Sequence, residues 1–416
     1  MQHLLFLVHR FPYPPNKGDK VRSYHLLRHL AKRYRVHLGA FIDSAEDWRY
    51  VDEVRQYCGE FHFEPLSPRR ATLKSALGLL SGEALTLPYY RNGNMQHWVD
   101  RVLRRHPIER VLVYSSPMAQ YVSKHAQLTR VADFVDIDSD KWLQYAASKR
   151  WPLSWVYRRE AARLFAYEQA IAGQFDATTF VSGIEAQHFR EMAPPCATKV
   201  GHANNGVDSA YFDPQRGYDN PYPADVQPVV FTGAMDYWPN VDAVSWFARE
   251  VLPLLRSQLP RAAFYIVGTR PTDAVKQLAN LPGVTVTGSV PDVRPYLAHA
   301  ALAVAPLRIA RGVQNKVLEA MAMAKAVIAS PQAAEGIEAE AGRDLLVAHA
   351  PTDYVMLAQR VLAGELPLLG QAARAAVTSH YDWDANLAQF EQLLSRPPLG
   401  GQQAALSAVS ALRRAG

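Results

Sequence analysis

The sequence predicts an α/β protein made of two doubly wound, Rossmann-like domains, and three observations carry that prediction. Short apolar, β-branched runs alternate with longer amphipathic stretches along the chain, the rhythm of parallel strands joined by helices. These runs fall into two series, separated by the Pro-, Asp- and Gly-rich stretch 206–228. The chain, at 416 residues, is also longer than one hydrophobic core usually supports.

The first series of candidate strands is Leu4–Val8, Val36–Phe41, Val111–Tyr114, Asp133–Ile137 and Thr178–Val181. The second is Val229–Thr232, Ala263–Val267, Val284–Thr287, Leu302–Ala305 and Ala326–Ala329. Residues 1–205 therefore read as an N-terminal α/β domain, 206–228 as a linker and 229–375 as a second α/β domain. Between Val21 and Tyr34, Val21, Tyr24, Leu27 and Ala31 share one helical face, and Arg22, His25, His29 and Lys32 share another, which predicts a surface helix with a basic side. A last helix is expected around Trp383–Leu394, within a segment 376–395, and the Pro-, Gly- and Ala/Ser-rich stretch 396–416 reads as a weakly ordered tail.

Composition narrows the function classes. No run of about 18 apolar residues occurs, and Leu4–Val8 is too short to span a bilayer. The expectation is a chain without a membrane span. Cys58 and Cys196 stand far apart, suggest neither a disulfide framework nor a zinc site, and fit a reducing cytoplasm. The net charge is +6, yet residues 1–35 hold eight Lys/Arg against the single acid Asp19. Such a local excess suits an anionic substrate, a phosphorylated lipid carrier or an acidic membrane surface, or else a solvated helix face. Trp151, Trp155 and Tyr157 interleave with Lys149, Arg150, Arg158, Arg159 and Arg163, a combination that suits either a membrane interface or core packing. Nucleic acid is not expected as a partner, because no recognisable module is present. A phosphate loop of the Gly-Lys-Ser/Thr kind, a zincin spacing and a Gly-x-Gly-x-x-Gly opening are all missing from the sequence.

The most informative segment runs from Ala305 to Ser330. A strand ends at Pro306, a loop passes Arg308, Arg311 and Gly312, and a helix follows that carries Lys316 and Glu319. Free backbone N–H groups and the positive end of a helix dipole suit a phosphate, and Arg308 and Lys316 add cations. Glu319, one turn into the helix, suits a ribose diol, since a carboxylate accepts two hydrogen bonds. Cations beside a carboxylate match a nucleotide diphosphate; the alternative is an ordinary exposed Lys316/Glu319 pair. A second cluster, Asp133, Asp136, Asp138 and Asp140, sits at the end of an apolar strand, where open α/β sheets place ligands. A catalytic role near a hydroxyl and a capping role both fit it. Gly18, in the stretch Pro14–Lys20, marks either a backbone approach to a ligand or a simple turn.

Asn315-Lys316-Val317-Leu318-Glu319-Ala320-Met321-Ala322, followed by Ala326–Ser330 and Glu335-Gly336-Ile337, resembles the donor-site signature of family 4 retaining glycosyltransferases, which have the GT-B fold. Gly233–Asn240 with Trp246, Phe247 and Pro253 resembles the opening of that family's C-terminal domain. Val267-Gly268 and Thr287–Val290 are similar to its next strand ends, and Arg10–Arg22 with Asp136–Trp142 to a sugar-transferase subgroup of bacterial exopolysaccharide loci.

The resemblance implies a glycosyltransferase that moves a sugar, with retention, from a nucleotide-diphosphate donor to a glycan or lipid-linked acceptor. No bound metal or other cofactor is expected, and the location implied is cytoplasmic, with peripheral contact at the inner face of the membrane. The implied donor residues are Gly233, Gly268, Arg270, Val290, Arg308, Arg311, Gly312, Val313, Gln314, Asn315, Lys316 and Glu319. The implied acceptor residues are Gly18, Asp19, Lys20 and Arg22, with Asp136, Asp138, Arg308 and Lys316 as the catalytic set and the last helix returning to the first domain. Three departures stand out. The family pairs two glutamates in its signature, and the first falls on Arg311; the family's basic pair is replaced by Met235 and Asn240, and the histidine before Asp136 by Val135. Readings that compete with transfer are a nucleotide-sugar epimerase of the same architecture and a nucleotide-sugar-binding regulator.

Overall fold

The structure is a computed structural model that describes residues 1–15, 18–76, 78–147, 149–310 and 312–398. It divides into two compact units, the first joining Met1–Asn204 to the chain from Leu387, the second being Asn205–Asn386.

The first unit holds a seven-stranded sheet of β1 (Gln2–Val8), β2 (Tyr34–Ile42), β3 (Cys58–Pro65), β4 (Ile108–Tyr114), β5 (Thr129–Val135), β6 (Ala177–Phe180) and β7 (Val200–His202). Its order is β3-β2-β1-β4-β5-β6-β7, with every pairing parallel. Leu4 to Val8 are fully buried, the pattern of a central parallel strand covered on both faces. The second unit holds six parallel strands, β8 (Gln227–Thr232), β9 (Ala262–Val267), β10 (Val284–Gly288), β11 (Leu302–Ala305), β12 (Val327–Ala329) and β13 (Leu346–Val347), in the order β10-β9-β8-β11-β12-β13. Both sheets are doubly wound, and each reverses its strand order between its first strand and the fourth, β1/β4 and β8/β11. Crevices at the carboxyl ends of such strands are where this architecture binds ligands.

Three strands escaped the sequence reading. β3 alternates polar and apolar residues and is only half-buried at the sheet edge, while β7 and β13 have three and two residues. β8 opens at Gln227, inside the stretch read as linker. β5 stops at Val135, where φ is +73°, so the expected strand end at Ile137 is corrected; Asp138 and Asp140 instead open the helix Asp138–Ala147.

The expected basic surface helix is also corrected. The helix Gly18–Ala31 buries Arg22 and His29, because each finds a carboxylate inside the unit. Arg22 donates through Nε and Nη2 to Asp133 at 2.7 and 3.1 Å, and through Nη1 to the Ala203 carbonyl at 2.8 Å. His29 lies 2.9 Å from Glu391 on the helix Trp383–Leu394, whose Leu387, Phe390 and Leu394 are fully buried. Arg110 donates to the Leu394 carbonyl at 2.8 Å, so the end of that helix is held by the first sheet. The expected tail lies, from residue 399, outside the described residues. Trp151 and Trp155 are 81% and 55% exposed, which removes the core-packing reading for both. Among the described residues, no helix is long and apolar enough to cross a membrane.

Candidate functional site

In the second unit, the chain turns sharply where β8 and β9 end. A Cβ on Gly268 would lie 1.6 Å from the Gly233 carbonyl oxygen, so the two backbones meet only because Gly268 is glycine. A Cβ on Gly233 would lie 2.8 Å from Asn240 Nδ2 and 3.5 Å from Lys316 Cε, which gathers Gly233, Gly268, Asn240 and Lys316 at one strand edge. Asn240 is buried and donates to the Ala234 carbonyl at 2.9 Å, while its Oδ1 has no hydrogen-bond partner.

β11 leads through a loop into the helix Asn315–Ala322, and Gly312 takes φ +63° on the way. Val317, Leu318, Ala320 and Met321 anchor that helix in the core, which fixes Lys316 and Glu319 on its other side. Lys316 Nζ approaches Gln314 Oε1 at 3.3 Å and lies 5.5 Å from the centre of the Phe231 ring. Burial depresses the Lys316 ammonium to about 8, with Glu319 only partly countering it. Burial likewise raises the Glu319 carboxyl to about 7, against the pull of Lys316. Each group thus carries its charge at a cost that a ligand of the opposite kind would offset. Asn315 Oδ1 is buried without a partner, and Val290 packs on the core just beyond β10.

The expected cations divide. Arg308 turns to Asp242, donating from Nε at 2.9 Å and also from Nη2, and lines an open pocket of ≈ 620 Å³ with Trp246, Ser330, His349 and Tyr354. Arg270 pairs with Asp236 at 3.0 Å. Both are therefore engaged by carboxylates, and among the described residues Lys316 is the cation the fold places beside Gly233. Arg311 lies outside the described residues.

In the first unit the carboxyl edge at β1/β4 gathers a polar cluster. Arg10 donates to Asp19 at 2.5 Å and to Asp43 at 2.9 Å, and Tyr114 Oη donates to the Asp19 carbonyl at 2.9 Å. Burial works against ionisation of Asp19, but Arg10 and His9 outweigh it and hold its carboxyl below the usual range. Lys141 clamps both Asp136 and Asp138, at 2.8 and 3.1 Å. Non-glycine residues with left-handed backbone, Ser115 (φ +74°) and Val135 (φ +73°), close the neighbouring strands β4 and β5, a concentration of strain typical of functional edges.

Two of the expected acceptor residues are buried in internal ion pairs. Lys20 is 4% exposed and pairs with Asp47 at 2.6 Å, and Arg22 is fully enclosed by Asp133 and Ala203, so both hold the fold. Gly18 is exposed at the helix start and Asp19 is half-buried in the cluster. Sequence reasoning missed His9 and Glu168. His9 follows β1, stacks on Tyr114 and keeps a buried Nδ1 without a partner; its place just past the central strand was the available signal. Glu168 is buried and raised to about 8 by burial and by Asp138, although Ser139 donates to it at 2.6 Å. It sits in an amphipathic helix where nothing in the sequence distinguishes it.

Residues 227–363 match the family model described as glycosyl transferases group 1. No curated protein is matched by sequence. Among solved structures, sucrose-phosphate synthase from Thermosynechococcus elongatus aligns with a TM-score of 0.69 at 17% identity, over 94% of this chain and 98% of that one. Anabaena Alr3699/HepE in complex with UDP aligns at 0.62 and 15% identity, over 95% and 100%. WaaG, a glycosyltransferase involved in lipopolysaccharide biosynthesis, aligns at 0.59 and 13% identity, over 94% and 99%. The protein has the GT-B fold. The stretch that matches the glycosyl transferases group 1 model lies within its second unit.

Proposed function

We propose that the protein is a retaining glycosyltransferase that takes a sugar from a nucleotide-diphosphate donor bound by the second unit and passes it to a glycan or lipid-linked acceptor held by the first. The observation that carries this reading is the Lys316/Glu319 pair beside the Gly233/Gly268 backbone contact: a cation driven toward neutrality and a carboxyl driven toward protonation, on one helix edge. A diphosphate restores the charge of Lys316, and a ribose diol gives the Glu319 carboxylate two donors. The Anabaena relative of this fold was solved with UDP and with UDP-glucose, which supports a donor of that class.

On this reading Lys316 and the N–H groups opening the helix Asn315–Ala322 stabilise the departing diphosphate as the bond to the anomeric carbon breaks. No metal is invoked for that charge. Acceptor hydroxyls meet Asp19, Asp138 and His9 at the β1/β4 edge, and Arg311, standing where the family has a glutamate, sets the donor sugar. The exposed Trp151 and Trp155, beside Lys149, Arg150 and Arg158, provide contact with the inner face of the cytoplasmic membrane, where lipid-linked acceptors of exopolysaccharide synthesis would be met.

The test is a thermal-shift and calorimetric panel of UDP-, GDP-, ADP- and dTDP-sugars, each with and without magnesium. A magnesium-independent shift with one nucleotide, lost in Glu319→Ala, is expected. Lys316→Ala should cut turnover by about 100-fold or more. Normal kinetics in both variants would overturn the site, and donor isomerisation without acceptor would replace transfer by epimerisation.

A further inference from the structure

At the opposite, amino-terminal edge of the first sheet, three imidazoles meet. His3 lies at the start of β1, His37 within β2, and His106 just before β4, so the strand order β2-β1-β4 brings them side by side. One ring nitrogen from each falls within a group whose members are all within 4.8 Å of one another, the single such group of His, Cys, Asp or Glu among the described residues. His3 Nδ1 is 2.9 Å from His37 Nε2. His37 is fully buried, and its Nδ1 has no hydrogen-bond partner.

We propose that His3, His37 and His106 form a transition-metal site that takes a borderline divalent ion such as zinc. A zinc–nitrogen bond of about 2.0–2.1 Å puts each ring centre about 3.2 Å from the ion, and tetrahedral angles then separate two ring centres by about 5.2 Å. The observed separations are 5.1 Å for His3 and His37, 5.3 Å for His3 and His106, and 4.4 Å for His37 and His106. Two of the three ring-centre separations match that value; the His37 and His106 rings must part, and His3 Nδ1 and His37 Nε2, 2.9 Å apart, must open to about 3.3 Å to share the ion. Two ligands sit on paired strands and the third at a strand entry, so the backbone that presents them is rigid before any ion arrives. Three imidazoles and no thiolate select a borderline ion over calcium or magnesium.

Glu60, paired in register with His37 on β3, supplies the negative charge that the ion needs. Its Oε1 lies 2.8 Å from His106 Nε2, a carboxylate-to-histidine contact of the kind that orients metal ligands, and 3.2 Å from Arg105. The trio is far from the carboxyl edge of its own sheet. His3 and His9 are separated by the length of β1, about 20 Å at about 3.3 Å per residue, so the ion ties β2, β1 and the entry to β4 together without touching a reacting group.

The full-length protein, stripped by chelator and titrated with zinc(II) or cobalt(II) alone, tests this. Expected are one ion per chain, cobalt absorption of four-coordinate intensity, and a higher thermal midpoint with zinc. His106→Ala and His3→Ala should each weaken zinc binding by about 100-fold or more, and Glu60→Gln by about 10-fold. His188→Ala, on an exposed helix position, should bind as the parent does. Circular dichroism establishes that each variant is folded. Absence of stoichiometric zinc, six-coordinate cobalt spectra, or unchanged affinity in folded His106→Ala and His3→Ala would overturn the proposal.

Discussion

Arg22 is the largest fully buried side chain among the described residues, and its guanidinium spans from the helix Gly18–Ala31 to Asp133 on β5. Removing one member of such a pair leaves a buried charge unpaired, so Arg22→Ala or Asp133→Ala should each cost about 3–5 kcal/mol in chemical denaturation. Glu168 is the opposite case. Its folded pKa of about 8 is raised above that of an unfolded glutamate, so its contribution to stability is full below the unfolded value and is lost as pH rises toward about 8. Glu168→Gln should therefore stabilise the protein near pH 8 by a few kcal/mol at most and change little near pH 4, as read from denaturation midpoints. Lys316 and Glu319 predict how binding titrates. The free protein holds Lys316 at about 8 and Glu319 at about 7, so affinity for UDP should fall as pH rises past the first value and as it falls below the second. Calorimetry across that range should show the alkaline arm vanish in Lys316→Met and the acid arm in Glu319→Gln. Lys316 and Glu319 were legible in the sequence because their signature is contiguous. The internal partners of Lys20 and Arg22 were not, since Asp47 and Asp133 are distant in sequence and helical periodicity alone puts a charge outside.

Among the elements, the paired ends of β8 and β9 set the edge proposed to bind the donor. Gly268→Ala would force a methyl group against the Gly233 carbonyl, so it should abolish nucleotide binding, by thermal shift, even where the variant still expresses in soluble form. Central strands such as β1, β4 and β11 were legible as apolar runs, because burial on both faces demands that composition. β3 was not, because an edge strand that alternates Glu60, Phe61, His62 and Phe63 has the polarity of a loop. Glu168 was illegible for a different reason, and His9 offered only its place past β1: their character comes from Ser139, Asp138 and Tyr114, which the fold alone brings to them.

For the molecule as a whole, two doubly wound sheets could be read from the rhythm of the chain, while the assignment of its last helix to the first unit came through the resemblance. That helix has a further consequence. The residues that complete the first unit, Leu387, Phe390 and Leu394, are synthesised only after every residue of the second. During translation the second unit can close as soon as it has emerged, whereas the first waits with His29, Arg33 and Arg110 lacking their partners on Glu391 and Leu394. The order of synthesis is thus the reverse of the order in which the two units can be finished, and the unit made first is the one that depends longest on whatever shields an unfinished sheet.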